Sequence, residues 1–126
     1  MHLFLLQMER LNSLFKLLII LLAFVDCNNA AKDFDRDPQA IHYSKHARCR
    51  MECRHVDESE VKEMIEKGDI NFSKSELNND DCHKRYALEG MSHDSQRLRI
   101  IVAECNDELT VITVIDLGKD WPCDCE

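Results

Sequence analysis

Glycine is scarce, with three residues in 126, at Gly68, Gly90 and Gly118. They stand apart, so the chain holds no glycine-rich loop that could cradle phosphates on backbone N–H groups. No Cys-x-x-Cys pair occurs, which removes the usual setting of an activated redox thiol. No uninterrupted apolar run reaches the ~20 residues that cross a bilayer as a helix. Basic charge is short as well: 16 Lys and Arg face 24 Asp and Glu, for a net charge of −8. Nucleic-acid binders usually carry a basic surface, so the global balance argues against that class. There is no internal repeat, and the length allows one domain at most.

Cysteine, by contrast, is plentiful, with seven residues. The chain opens with Arg10 and Lys16 ahead of LLIILLAFV (Leu17 to Val25) and Cys27. A basic start, a short apolar run and a processing-like end describe an export signal. A cysteine after such a run resembles a bacterial lipoprotein signal, although Asp26 stands where a small residue is normal. The expected layout is a signal or lipoprotein signal over 1–27, a polar tether over 28–40 and a domain over 41–126. Lipidation at Cys27, an ordinary cleaved signal and an uncleaved anchor are the three readings of the first segment. Setting Cys27 aside leaves six cysteines, an even set that fits an oxidising compartment where a modest core needs covalent support.

Two helices are expected first. Ser44 to about Arg54 contains no Gly or Pro. A second helix has Asp57 as N-cap, Glu60 completing a capping box, Val56 and Val61 as a hydrophobic staple, and Gly68 at its end. The period then changes from helical to alternating. Strands are expected at Ile70 to Ser75, Lys84 to Gly90, Arg97 to Cys105 and Leu109 to Leu117. The fold class is therefore α+β, two N-terminal helices packed on a four-stranded antiparallel sheet.

The stretch HARCRMECRH (His46 to His55) places Cys49 and Cys53 one helical turn apart, about 6 Å along the axis, facing the same side. Parallel Cβ directions prevent them from bonding each other. In the terminal DWPCDCE, Cys123 and Cys125 also alternate onto one face, ~6.6 Å apart if extended. Matched spacing predicts that these four sulfurs gather. They would form either two disulfides clamping the tail to the first helix or a tetrathiolate for Zn²⁺. The spacing fits zinc knuckles poorly, so disulfides are favoured and no cofactor is expected. Cys82 and Cys105 pair by register if Gly90 faces Arg97 across the turn MSHDSQ. His83 beside Cys82 is no metal pair, because adjacent strand residues point to opposite faces. Trp121 is expected to pack under the tail.

On a helical wheel of about 100° per residue, Arg50 and Arg54 fall roughly 40° and 80° from His46, in one stripe beside the two cysteines. Residues 45 to 55 carry four basic side chains against one acidic, and Asp57 to Lys67 five acidic against two basic. The two helices can simply neutralise one another. A functional reading makes the stripe an anion-binding face.

The arrangement HYSKHARCRMECRHVDESEVKEMIEKG, followed by RLRIIVAE and LTVITVIDL, resembles the domain of unknown function 4258 family from about Ile41 to Leu117. His46-Ala47, Arg50-Met51, Arg54 and Val111 to Val114 stand in the family's order, whereas the cysteines and the WPCDC tail depart from it and suggest an exported branch. That family is similar in layout to RelE-like and barnase-like ribonuclease toxins, which cleave RNA without metal. The resemblance implies His46 as base or acid and Arg50, Arg54 and Arg99 as phosphate clamps, with Arg99 included only if its strand faces the first helix. A second histidine would have to be His42 or His93. The leading expectation is a disulfide-braced, non-catalytic binding domain in the cell envelope, or alternatively secreted. Its partner would be an envelope protein or an anionic ligand, with membrane attachment through an N-terminal lipid or anchor. Ribonuclease activity, with nucleic acid as partner, and a structural zinc-thiolate site are the alternatives.

Overall fold

The computed structural model describes Arg10, residues 12–18 and residues 34–126. The chain divides into a unit over Met1–Phe34 and a compact unit over Asp35–Glu126. In the first unit residues 12–18 are helical, and Leu14, Phe15, Leu17 and Leu18 are exposed. Among the described residues no helix is long and apolar enough to cross a membrane. Cys27 and the rest of the apolar run lie outside the described residues.

The second unit is α+β. Its elements are β1 (Ala40–Tyr43), α1 (Lys45–Cys53), α2 (Glu58–Lys67), β2 (Asp69–Ile70), β3 (Arg85–Met91), β4 (Arg97–Cys105) and β5 (Glu108–Asp116). The sheet has five strands in the order β1-β5-β4-β3-β2. β1 runs parallel to β5 and all other pairs are antiparallel. The sheet is thus mixed, correcting the expected four-stranded antiparallel arrangement. The missing strand is four residues long and abuts the α1 cap. Its pairing, Ala40 with Glu108 through Tyr43 with Val111, joins segments too distant in sequence for local periodicity to reveal.

A second correction concerns Ile70 to Ser75. Within that stretch only Ile70 is in the ladder with β3, as part of Asp69–Ile70, and Glu76 just beyond it bridges to Arg85. Asn71 then turns its side chain onto the Lys74 N–H at 3.3 Å, starting a 3-10 turn over Phe72–Lys74. An Asn that satisfies the backbone locally competes with the ladder and ends it.

Both main helices are specified by their caps. The Ser44 hydroxyl accepts from the Ala47 N–H at 3.0 Å. The Asp57 carboxylate accepts from the Glu60 N–H at 3.0 Å, and Glu60 reaches back to the Asp57 N–H at 2.9 Å, the reciprocal capping box. Glu60 is fully buried. Its other oxygen takes the Ser92 hydroxyl at 2.7 Å, so the cap also ties α2 to the β3–β4 turn. Gly68 closes α2 with φ −64°, a conformation open to any residue. Glycine is needed there for proximity, because a Cβ would lie 2.5 Å from the Met64 carbonyl oxygen and 3.3 Å from that of Glu89.

The helices cover one sheet face. Leu98, Ile100 and Val102 on β4, Leu88 on β3, and Leu109, Val111 and Val114 on β5 are fully buried with Val61, Met64 and Ile65 of α2. Each such side chain contributes about 1.5–3 kcal/mol through removal from water. The register shifts between Ile101 and Val102, whose partners are Thr113 and Val111. Ile112 is the extra residue of a bulge, which re-phases β5 so that Val111 and Val114, three apart, both point inward. The β4–β5 turn is the pair Asn106-Asp107, both with positive φ, 52° and 62°, as tight hairpins of this hand require.

Candidate functional site: the basic face of α1

Helix α1 is fixed against β5 at both ends. At its start the Ser44 N–H donates to the Val111 carbonyl at 3.0 Å, and the Ser44 hydroxyl donates to the carbonyl of the bulged Ile112 at 3.0 Å. At its end Arg54 Nη1 donates to the Val114 carbonyl. His55, with φ 55°, turns the chain out of the helix.

The outer side of α1 is clamped. Cys49 bonds Cys125 and Cys53 bonds Cys123, both with Cα atoms 5.8 Å apart. The four sulfurs gather as expected, as two disulfides and not as a tetrathiolate. The tail runs antiparallel to the helix, and the Cys49 sulfur also lies 3.7 Å from the Asp124 carbonyl. Cys82 bonds Cys105 across a Cα separation of 4.6 Å, but not for the register reason expected. Met91 faces Arg97 and Gly90 faces Leu98, one position away from the assumed pairing. Cys82 is not in a strand at all. It sits in the 3-10 turn Asp81–His83, which lies over the end of β4.

His46 and Arg50 lie on α1 and Arg54 is its C-cap residue, and all three are half-buried. Arg50 Nε approaches His46 Nε2 at 3.4 Å, a long and weak contact. Arg54 has a structural task through Val114. Burial, and then the neighbouring Arg50, lower its pKa from the usual guanidinium range, against the opposing pull of Asp116 and Asp120. Arg48 sits 4.9 Å from the Tyr43 ring centroid and 3.4 Å from a Glu58 oxygen, so part of the charge of α1 is balanced by α2. Tyr43 itself has a raised pKa, chiefly from burial and then from Glu58. Lys45 is exposed.

Arg99 does not join this group. It alternates with the buried Leu98 and Ile100, so it points to the sheet face away from the helices. There its Nε donates to Glu89 Oε1 at 2.5 Å. Asn71 donates to the same oxygen at 2.9 Å. The Arg99 hydrogen bond first, then that of Asn71, hold Glu89 below its ordinary pKa against burial. Three further histidines are committed elsewhere: His42 to Glu108 at 3.0 Å, His93 to Glu63 at 2.9 Å, and His83 to Asp80.

At the C-terminal end of α1 lies a network that sequence reasoning missed. Gln96 Nε2 donates to the Arg54 carbonyl at 2.9 Å and to Asp116 Oδ2 at 3.2 Å. Trp121 Nε1 donates to the same Asp116 oxygen at 2.9 Å. Burial acts to raise the Asp116 pKa, but these bonds and that of the Gly118 N–H outweigh it and leave the pKa lowered. The Trp121 ring stands edge-on to His55 with centroids 5.2 Å apart, and Lys119 Nζ lies 3.6 Å from its centroid. The tryptophan in WPCDC was the only local signal, and its partners are set by tertiary contact.

Among the described residues Asp57, His93 and Asp94 bring possible metal-ligand atoms within 4.8 Å of one another, all exposed. One Asp57 oxygen already takes the Ser59 hydroxyl at 2.5 Å and the Glu60 N–H at 3.0 Å. It also caps a helix N-terminus, whose partial positive charge disfavours a cation.

Residues 43–116 match a family described as Domain of unknown function (DUF4258). The chain belongs to that family. The DUF4258 match runs from the last residue of β1 to the last of β5. It takes in His46, Arg50, Arg54 and Arg99, while the clamped tail with Cys123 and Cys125 lies beyond it. No curated protein and no solved structure matches the chain.

Proposed function

We propose that this DUF4258 protein is an exported, disulfide-braced domain that binds an anionic partner through the basic side chains of α1 that flank the disulfide clamp, without catalysis. The observation that carries the reading is the rigid presentation of Lys45, His46 and Arg50 on a helix fixed to β5 on one side and to a disulfide clamp on the other. Pre-ordered cationic side chains lose less freedom on binding. The export part rests on the basic start, the apolar run before Cys27 and the three disulfides, with Cys27 as lipid site, an uncleaved anchor or a cleaved signal as the forms of attachment or release. The partner is an envelope protein or ligand bearing phosphate or carboxylate groups.

The test is equilibrium binding of fluorescein-labelled polyphosphate to the oxidised protein at low salt. Binding should weaken at least tenfold in Lys45→Ala/Arg50→Ala and fall steeply with added salt. Equal affinity for wild type and variant would refute it. The second reading, a metal-independent ribonuclease similar in layout to RelE-like toxins, is favoured by the contact between His46 and Arg50 on the family-matched helix. It requires RNA cleavage that His46→Ala abolishes, and intact RNA after incubation rejects it. Against it stand Arg99 on the opposite sheet face and Arg54 held by Val114.

A further inference from the structure

We propose that the segment from Asp116 to Glu126 is an autoinhibitory acidic strap, held by two disulfides along α1, that competes with anionic ligands for the basic face of that helix. This rests on the anion-binding reading of α1 given above and adds its regulation.

Three observations converge. The segment carries four carboxylates, Asp116, Asp120, Asp124 and Glu126, against Lys119 alone, while α1 with Arg54 carries four cations against Glu52. Opposite charge is therefore placed on the two partners of one clamp. The disulfides at Cys49 and Cys53 set the strap directly beside the stripe of His46, Arg50 and Arg54, because both cysteines neighbour that stripe on the helical wheel. The upstream end is also anchored. Trp121 bonds Asp116, which in turn accepts from Gln96, so the strap is held at three points. Arg54 already feels Asp116 and Asp120.

Covalent closure makes the strap responsive to thiol chemistry. A dithiol reductant opens each bond in two exchanges. One of its thiolates attacks a cysteine sulfur to give a mixed disulfide and expels the partner cysteine as thiolate. The second thiolate of the reductant then displaces the remaining cysteine. Two protein thiols form, taking up the two protons and two electrons that the dithiol loses as it closes to its own disulfide. Opening both bonds consumes two dithiols and frees the tail from α1.

The experiment measures binding of labelled polyphosphate to four oxidised proteins: wild type, Asp120→Asn/Asp124→Asn/Glu126→Gln, Cys123→Ser/Cys125→Ser, and the control Asp69→Asn/Glu76→Gln/Asp80→Asn. Of the control positions, Asp69 lies on β2 at the opposite edge of the sheet from β1 and β5. Glu76 bridges to Arg85 of β3, and Asp80 precedes the 3-10 turn over the end of β4, so none of them is on α1 or on the strap. Neutralising the strap should tighten binding about tenfold, releasing it should tighten binding as much, and the control should change it less than about twofold, because exposed charges beyond a Debye length are screened. The neutralised strap keeps every disulfide, so it decides the matter even if the serine variant fails to fold. Equal affinity of wild type and neutralised strap, with Lys45→Ala/Arg50→Ala still weakening both, overturns the strap and leaves the binding face standing. A control that tightens as much as the strap variant also overturns it. No binding by any form removes the binding face and the strap together.

Discussion

The two clamp disulfides close nearly the same loop, and this makes a quantitative prediction about their removal. Their sequence separations are 76 and 70. In the chain-entropy treatment the first bond formed stabilises by about 4.4 kcal/mol. Once it exists, the second closes only a ring of roughly eight residues, made of one helical turn and the facing tail, and adds about 2.5 kcal/mol. Removing either bond alone, by Cys49→Ser/Cys125→Ser or Cys53→Ser/Cys123→Ser, should therefore lower stability by only about 2.5 kcal/mol, because the survivor still closes the long loop. Removing both should cost about 7 kcal/mol, some 2 kcal/mol more than the two single losses added together. A domain of ordinary stability, about 5–15 kcal/mol, would then be marginal. Urea unfolding of the three variants in non-reducing buffer, with Cys82–Cys105 intact, gives the values from midpoint and slope. Simple additivity, or a loss under about 2 kcal/mol when both are gone, would show that the bonds do not act by restricting the unfolded chain.

Two further outcomes follow from packing and charge. Gly68→Ala should cost about 1–3 kcal/mol, seen as a lower melting temperature, since its Cβ would stand 2.5 Å from the Met64 carbonyl oxygen. An unchanged melting temperature would contradict that account. The Glu63–His93 pair should give a pH signature. The hydrogen bond to Glu63 raises His93 above its ordinary 6.5, against burial, and the same bond lowers Glu63 below its ordinary 4.5. The histidine's contribution is complete below pH 6.5 and fades as pH rises through its raised pKa, whereas the carboxylate's is complete above pH 4.5 and fades as pH falls through its lowered pKa. The pair is thus most stabilising between those two values. Glu63→Gln should bring the His93 NMR titration downward, and an unmoved titration would contradict the pairing.

Local chemistry was legible wherever one stretch of chain contained both partners of an interaction. Asp57 and Glu60 lie three apart, so the capping box could be read directly, and so could the Ser44 to Arg54 helix. The gathering of Cys49, Cys53, Cys123 and Cys125 was legible for a related reason. Two pairs of matched spacing constrain one another even across seventy residues. Cys82 with Cys105 was reached by a wrong route, since the turn from Ser92 to Gln96 shifts the register by one and the 3-10 turn at Asp81–His83 supplies the reach.

By itself the sequence determined the helix caps, the α+β class, the apolar faces and the six sulfurs able to pair, because these depend on period, capping chemistry and composition within short windows. Only the tertiary structure decided that Ala40–Tyr43 joins the sheet, that a bulge at Ile112 turns Val111 and Val114 inward together, that Arg99 faces away from His46, and that Gln96, Asp116 and Trp121 meet at the end of α1. Each of those depends on which distant strand lies alongside and in what register. A one-residue shift there moves a side chain to the other face of the sheet.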